Sequence, residues 1–147
     1  MIKRKDSIII NRPREVVFNY LTTPANWLEH LPTSFEIKPE INRPLMKGEK
    51  LSEFVKIKGL SGWVNWDCME NDGQSLFTVQ GSSESFGGSR TSISYTFSED
   101  NGKTVFNRIV EVSQNKLMMK MMEPMIKIYV KKEADFIMAK VKEVLER

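Results

Sequence analysis

An alternating segment at residues 90–112, RTSISYTFSEDNGKTVFNRIVEV, decides the fold class. Its first half alternates serine and threonine with three apolar residues, Ile93, Tyr95 and Phe97. This period of two predicts a strand with one buried face. Asn101-Gly102 is a strong hairpin signal, and residues 103–112 then predict a second strand. The segment is therefore an antiparallel hairpin.

Similar segments precede this hairpin. Strands are predicted at residues 3–10, 35–41, 50–58, 63–69 and 74–81. The clearest strand runs from Lys50 to Lys58 and places on one face Leu51, Glu53, Val55 and Ile57. Turns are predicted at residues 59–62 and 71–73, and a polar loop at residues 82–89. Short turns between successive strands predict an antiparallel meander.

Three other segments have the helical period. Residues 13–21 and 25–31 predict two short helices, the first with Pro13 in its opening turn. Residues 115–146 predict a long C-terminal helix that Pro124 interrupts. Because the apolar stripe shifts by roughly a third of a turn across this proline, we expect a kink there, or a short helix leading into the main one.

The predicted architecture is α+β, with a curved seven-stranded antiparallel sheet, two short helices and a long C-terminal helix. A sheet with a polar outer face needs its inner face covered, and only the C-terminal helix is long enough to cover it. Such a helix-grip arrangement leaves space that side chains need not fill. We therefore expect a single ligand-binding domain, residues 1–147, with an apolar cavity between the sheet and the helix.

Composition excludes several classes of protein. The net charge of +3 is too small, and the basic residues too dispersed, to indicate nucleic-acid or membrane binding. The single cysteine, Cys68, excludes an intrachain disulfide and fits a reducing compartment. No apolar run has the length of a secretory signal or a transmembrane helix. We expect a cytoplasmic protein without integral membrane association.

The N-terminal region resembles a known family. Residues 10–21, INRPREVVFNYL, and 24–27, PANW, are similar to the opening of START-like (SRPBCC) proteins. Those proteins have a strand, then a Pro-Glu-Val-aromatic helix start, then an Asn-Trp pair. Gly102-Lys103-Thr104 and Leu145-Glu146 also fit, and the most similar branch is the polyketide cyclase/dehydrase-like one. The resemblance spans the chain, but its motifs mark the fold and carry no catalytic signature.

The resemblance implies a helix-grip fold that binds a lipid-, polyketide- or quinone-like molecule. The family also includes Hsp90 co-chaperone-like members. No Rieske-type iron–sulfur motif occurs, which argues against an oxygenase subunit. We expect no cofactor and no metal, because His30 is the only histidine and no His/Cys spacing suggests zinc.

Methionine is concentrated at the start of the C-terminal helix. The cluster comprises Met118, Met119, Met121, Met122 and Met125. Flexible, polarizable side chains suit a cavity wall or a gate that accepts varied apolar shapes. Alternatively, these residues fill an irregular core beneath a kinked helix.

Two charged residues fall on predicted inner faces. Glu53 alternates with apolar neighbours in its strand, and Arg108 does so in the last strand. A buried carboxylate is costly unless it is paired. A Glu53–Arg108 pair would anchor the polar end of a ligand or move protons. Alternatively, one or both residues lie near the rim of the sheet and reach solvent.

The remaining candidates depend on which way each side chain points. His30 is either a general base at the pocket mouth or a surface or capping residue. We expect an inward face formed by Val64, Trp66 and Cys68, with Cys68 a buried and unreactive thiol. The segment Lys131-Lys132-Glu133 is interpreted as a solvated helix face.

The catalytic candidates are Glu53, Arg108, His30 and Tyr95. The predicted ligand-binding residues are Trp27, Leu51, Glu53, Val55, Trp66, Phe77, Tyr95, Phe97, Phe106, Arg108, Met118, Met121, Met122, Met125 and Tyr129.

Three functions remain open. The first is a binding module for a small hydrophobic molecule, favoured by the absence of a convincing catalytic constellation. The second is a cyclase or dehydratase that works without a metal, which requires polar groups to converge on one cavity. The third is a co-chaperone-like interaction module, which predicts a protein partner, an exposed apolar patch and a filled core.

Overall fold

The computed structural model describes residues 1–114 and 116–147, apart from the side chains of Met118 and Met119. The strands are β1 Ile2–Ile10, β2 Ser34–Lys38, β3 Lys50–Ile57, β4 Leu60–Asn71, β5 Leu76–Ser83, β6 Ser89–Asp100 and β7 Lys103–Ser113. The helices are α1 Arg14–Thr22, α2 Trp27–His30, α3 Leu117–Met121 and α4 Glu123–Leu145. Single 3₁₀ turns form at Pro24–Asn26 and Glu84–Phe86.

The seven strands form one antiparallel sheet in the order β1-β7-β6-β5-β4-β3-β2, which confirms the predicted fold class. Asn101 and Gly102 adopt φ angles of 52° and 80°, as a two-residue hairpin turn requires. The turn predicted at residues 59–62 is wrong. Lys58, with φ 44°, and Gly59 form it instead, so Leu60 already pairs with Ile57 in the ladder. Likewise β5 continues to Ser83 and shortens the loop predicted at residues 82–89.

The interior differs between the two ends of the strands, because large side chains fill one end and smaller ones line the other. At one end, which we call the closed end, aromatic rings fill the space between the sheet, α1 and the last turns of α4. Phe106 stacks on Phe97 at 5.3 Å between ring centroids, and Phe18 and Tyr95 each lie 5.0 Å from one of these rings. At the other end, the open end, the sheet contributes smaller aliphatic residues such as Val110 and Val112. The cavity lies there.

The C-terminal helix is interrupted as predicted. α3 ends at Met121, Met122 intervenes, and α4 begins at Glu123 with Pro124 in its first turn. Proline is tolerated in that turn because its missing N–H would have no helical partner there. A short helix therefore leads into the main one, at the open end of the sheet.

The other end of α4 is attached to the closed end by hydrogen bonds. Arg12 Nη1 donates to the carbonyl of Leu145 at 2.8 Å, and Lys142 Nζ donates to the carbonyl of Ile9 at 2.6 Å. The Asn11 backbone N–H donates to Glu146 Oε2 at 2.8 Å. These contacts hold the C-terminal turns of α4 against the closed end, and the cavity lies beneath the N-terminal turns.

Candidate functional site

A cavity of about 430 Å³ lies between the open half of the sheet and the first turns of α4. Most of its wall is apolar, with Val55, Val64, Ile93, Val110 and Val112 from the sheet facing Ile126 and Val130 from α4. Leu60, Phe86 and Met125 lie at its mouth, where the β3–β4 turn, the β5–β6 loop and the α3–α4 junction meet. The volume falls in the range of small-molecule sites.

Glu53, Arg108 and Glu133 line this mainly apolar space, together with Tyr129 and, at the β3–β4 turn, Lys58. Arg108 is 3% exposed and Glu53 is 5% exposed. The nearest Arg108 ion pair among the described residues joins Nη2 to Glu133 Oε1 at 3.9 Å, and Arg108 Nε has no hydrogen-bond partner there. A buried guanidinium with an unused Nε donor, a loose ion pair and the Tyr95 hydroxyl as its other polar neighbour still leaves hydrogen-bonding capacity for another molecule.

Glu53 has a different environment. The indole Nε1 of Trp66 donates to Glu53 Oε1 at 3.0 Å. Burial raises the pKa of Glu53, and the charge of Glu133 adds to the rise, while the Trp66 hydrogen bond opposes it. A carboxyl group with a raised pKa keeps its proton to higher pH, so Glu53 is able to donate a hydrogen bond where an ordinary glutamate only accepts.

The predicted Glu53–Arg108 ion pair is not among the contacts of the described residues. Both side chains are buried at the same cavity, but the carboxylate near Arg108 belongs to Glu133 of α4. β3 and β7 are four strand positions apart, about 19 Å in a flat sheet. Sheet curvature brings both residues to the cavity wall, and α4 brings Glu133 within reach of Arg108.

The predicted ligand-binding residues divide between the two ends of the sheet. The cavity is lined by Glu53, Val55, Trp66, Arg108, Met122, Met125 and Tyr129. The closed-end core contains Trp27, Leu51, Phe77, Tyr95, Phe97 and Phe106. Met121 is exposed to solvent, and the Met118 side chain lies outside the described residues. The alternation of apolar and polar residues in the strands predicted which side chains point inward. It did not predict which of them pack into the closed-end core and which line the cavity.

Glu133 is the site residue that sequence reasoning missed, because it was interpreted as part of a solvated face. Its side chain lines the cavity, and the Tyr129 hydroxyl donates to its Oε2. A signal was present: Glu133 follows Ile126 by seven residues and Tyr129 by four, so all three share one helix face.

The inward face predicted for β4 is confirmed. Trp66 and Cys68 are buried, Val64 is half-buried and Trp63 is partly exposed. A β-carbon at Gly81 would lie 2.7 Å from the Trp66 ring, so this glycine makes the space that the indole occupies. Burial raises the pKa of the Cys68 thiol to about 11, which fits the expected unreactive cysteine.

A comparison with protein families identifies the chain. The model of the family described as polyketide cyclase / dehydrase and lipid transport matches residues 1–146. The chain belongs to this family. The predicted resemblance to the polyketide cyclase/dehydrase-like branch is therefore confirmed.

Solved structures share the helix-grip fold of this polyketide cyclase/dehydrase family member. They include the Zhui aromatase/cyclase from Streptomyces sp. R1128, with a TM-score of 0.79, 11% identity, and coverage of 99% of this chain and 94% of that chain. A protein from Chromobacterium violaceum has a TM-score of 0.73, 10% identity, and coverage of 99% and 97%. Ara h 8.0201 has a TM-score of 0.67, 12% identity, and coverage of 98% and 97%. Identities this low show the fold alone.

Two further observations concern the sequence of this family member and its helices. A search of curated proteins gave no match to its sequence. Among the described residues, none of its helices combines the length and the apolar composition needed to cross a membrane.

His30 of this polyketide cyclase/dehydrase family member is buried, so the prediction of a surface residue is wrong. It is 1% exposed because the Tyr20 ring covers it, with ring centroids 5.5 Å apart. Its Nδ1 lies 3.4 Å from the Tyr20 hydroxyl, and its Nε2 has no partner among the described residues. His30 is not part of the cavity lining, which does not match a general base at the pocket mouth.

Burial of His30 should make the stability of this family member pH-dependent. Burial, helped by the charge of Arg108, lowers the His30 pKa from 6.5 to about 4. The unfolded chain then binds more protons between these pH values, so stability is fully present above pH 6.5 and is lost as the pH falls towards 4. The shift corresponds to roughly 3 kcal/mol.

Urea unfolding at several pH values, compared between the unaltered protein and His30→Leu, measures this effect. Relative to His30→Leu, the unaltered protein should lose stability as the pH falls from 6.5 to about 4. Subtracting the free energy of unfolding of the variant removes the contribution of carboxylates that titrate in the same range. Parallel pH profiles would mean that His30 is protonated equally easily in the folded and unfolded states.

Proposed function

We propose that the protein binds a small, mainly apolar molecule, of lipid-, polyketide- or quinone-like chemistry, with one polar end directed at Arg108. The observation that supports this most is a buried guanidinium in the wall of a mainly apolar cavity, whose Nε has no hydrogen-bond partner among the described residues. Membership of a polyketide cyclase/dehydrase and lipid transport family agrees with a ligand-binding or cyclase role in general.

The lining supports an amphipathic ligand. The aliphatic wall favours an apolar body through burial of its surface. Arg108 offers charge-assisted hydrogen bonds to a carboxylate, phenolate or carbonyl oxygen. Burial raises the pKa of Glu53, which adds a second donor in the same cavity whenever its carboxyl group holds a proton. Such a site orients the ligand, with its oxygen-rich end at Arg108 and its apolar part towards Leu60 and Met125.

Ligands with one chain and different head groups test this proposal. We expect decanoate to bind at least tenfold more tightly than decanol, and decyltrimethylammonium to bind most weakly, because only the carboxylate pairs with Arg108. Isothermal titration calorimetry of the three compounds measures the order. Val130→Phe, which places a ring in the cavity without altering charge, should weaken all three. Equal affinities for the three heads, or unchanged binding to Val130→Phe, would contradict the proposed site.

A second candidate function is cyclisation with dehydration of a poly-β-ketone. One observation favours it: two carboxyl groups, Glu53 and Glu133, face the same cavity as Arg108. Glu53 with a raised pKa suits a general acid that protonates a departing hydroxyl, and Arg108 would polarise a ketone oxygen. Loss of water from an added poly-β-ketone, followed by mass spectrometry, would distinguish turnover from binding.

The co-chaperone-like alternative receives less support from the interior. It predicts a filled core, whereas the space between the open half of the sheet and α4 has a volume of about 430 Å³.

A further inference from the structure

Large apolar side chains project into solvent around the cavity mouth. We call the group formed by Leu60, Leu117, Met121, Met125 and Ile128 the rim. Each is more than half exposed, from 56% for Leu60 to 76% for Met121. Isolated exposed apolar residues are ordinary, but two at the cavity opening and three more on the adjoining α3 and α4 mark an interaction surface.

The rim is continuous with the cavity. Leu60 and Met125 line the cavity as well as facing solvent. Met125 and Ile128 are three residues apart on α4, beside the face through which Ile126 and Tyr129 reach the cavity. Leu117 and Met121 extend the same region onto α3. Whatever covers the rim therefore lies directly over the cavity mouth.

Positive charge is concentrated in the same segment. Residues 116–132 contain five lysines and one glutamate, whereas the whole chain has a net charge of only +3. The glutamate, Glu123, lies 3.6 Å from the N-terminal amino group. Of the five lysines, only Lys131 has a carboxylate of the described residues within 4 Å, that of Asp135 at 3.3 Å. The expectation that the basic residues are dispersed is therefore wrong for this segment, and α3 and the start of α4 place its lysines beside the rim.

We propose that the rim is a docking surface for the face of a bilayer that contains anionic lipids. Lysines interleaved with exposed leucine, methionine and isoleucine match a membrane interface, where apolar side chains enter the acyl boundary and ammonium groups meet phosphates. Unbranched methionine suits a surface without fixed shape. Docking of this kind is peripheral and places the cavity mouth at the lipid surface.

Vesicle flotation tests the docking surface. The ligand-free protein should bind phosphatidylcholine vesicles that contain a third of phosphatidylserine, and should bind pure phosphatidylcholine at least tenfold more weakly. Raising the salt concentration to 0.5 M should release it, because salt screens surface charges. Absence of binding to the anionic vesicles would overturn the proposal. Binding by an acidic protein instead of vesicles would assign the rim to a protein partner and would also overturn it.

Matched variants distinguish binding through the rim from non-specific attraction between a positively charged protein and anionic vesicles. Leu117→Ser/Met121→Ser/Ile128→Ser and Lys116→Gln/Lys120→Gln/Lys127→Gln should each lower vesicle partitioning at least tenfold. The control Lys47→Gln/Lys50→Gln/Lys103→Gln removes the same charge at the closed end of the sheet, and it should retain most binding. An equal loss in the control would mean non-specific attraction. Because all these side chains are exposed, far-UV circular dichroism should show unchanged folds.

A fluorescent label tests insertion directly. Cys68 is buried, so a cysteine introduced by Met121→Cys can be labelled selectively with an environment-sensitive fluorophore. Its emission should shift to the blue on anionic vesicles, whereas the same label at Lys50→Cys should not respond. No shift at residue 121 would contradict insertion of the rim. Docking does not require an occupied cavity, so decanoate binding can fail while vesicle binding succeeds, and the reverse.

Discussion

Replacing Arg108 with methionine should lower the affinity for decanoate by about tenfold to a hundredfold while leaving the protein at least as stable. A charge-assisted hydrogen bond contributes about 1.5–3 kcal/mol to binding, and methionine offers no donor. In the free protein, however, Arg108 is a buried charge whose ion pair with Glu133 is 3.9 Å long, and its Nε has no hydrogen-bond partner among the described residues. Removing a buried charge that has no close partner relieves its desolvation cost, and the carboxylate of Glu133, whose side chain is 22% exposed, still reaches solvent when Arg108 is lost.

Calorimetry with decanoate, together with urea unfolding, measures both halves of this prediction. Arg90→Met removes the same charge from an exposed position and should change neither quantity. Arg108 also lowers the pKa of His30 by its charge, so the His30 pKa should rise from about 4 in Arg108→Met when followed by NMR. Loss of stability without loss of decanoate affinity would assign Arg108 a structural role instead.

Replacing Phe106 with alanine should lower the free energy of unfolding by about 3–5 kcal/mol, as expected for a large ring removed from a packed core. Phe106 has no exposed surface and contacts the rings of both Phe97 and Tyr95. The loss is a large share of a typical total stability, but it should not unfold the chain at 25 °C. Decanoate affinity of the folded fraction should change little, because Phe106 belongs to the closed end and is not part of the cavity lining.

Val110→Ala is the matched control. Val110 lies on the same inner face of β7 as Phe106, four residues further along the strand, but it lines the cavity. This change removes apolar atoms at a wall that already borders empty space, and should cost only about 1 kcal/mol. Urea titration of the two variants gives the comparison. Equal losses for Phe106→Ala and Val110→Ala would mean that the interior does not divide into a filled end and an open end.

The sequence determined the elements and their faces. The alternation of β3 and β6 set which side chains point inward, and Asn101-Gly102 set a two-residue turn, because both depend on residues adjacent in the chain. Pro124 set the junction between α3 and α4 for the same local reason. The seven-stranded meander followed from these signals and from the short connections between strands.

Only the tertiary structure decided which inward residues form a core and which form a cavity. Tyr95 and Arg108 are paired neighbours on β6 and β7, but Tyr95 packs among the closed-end rings, whereas Arg108 lines the empty space. The ion pair of Arg108 with Glu133 depends likewise on residues far apart in the chain, and the burial of His30 depends on how α1 and α2 pack. Periodicity reports the direction of a side chain relative to its own strand or helix, whereas a cavity depends on the distance between elements. That distance is set by the combined volumes of side chains from α1, α4 and the curved sheet.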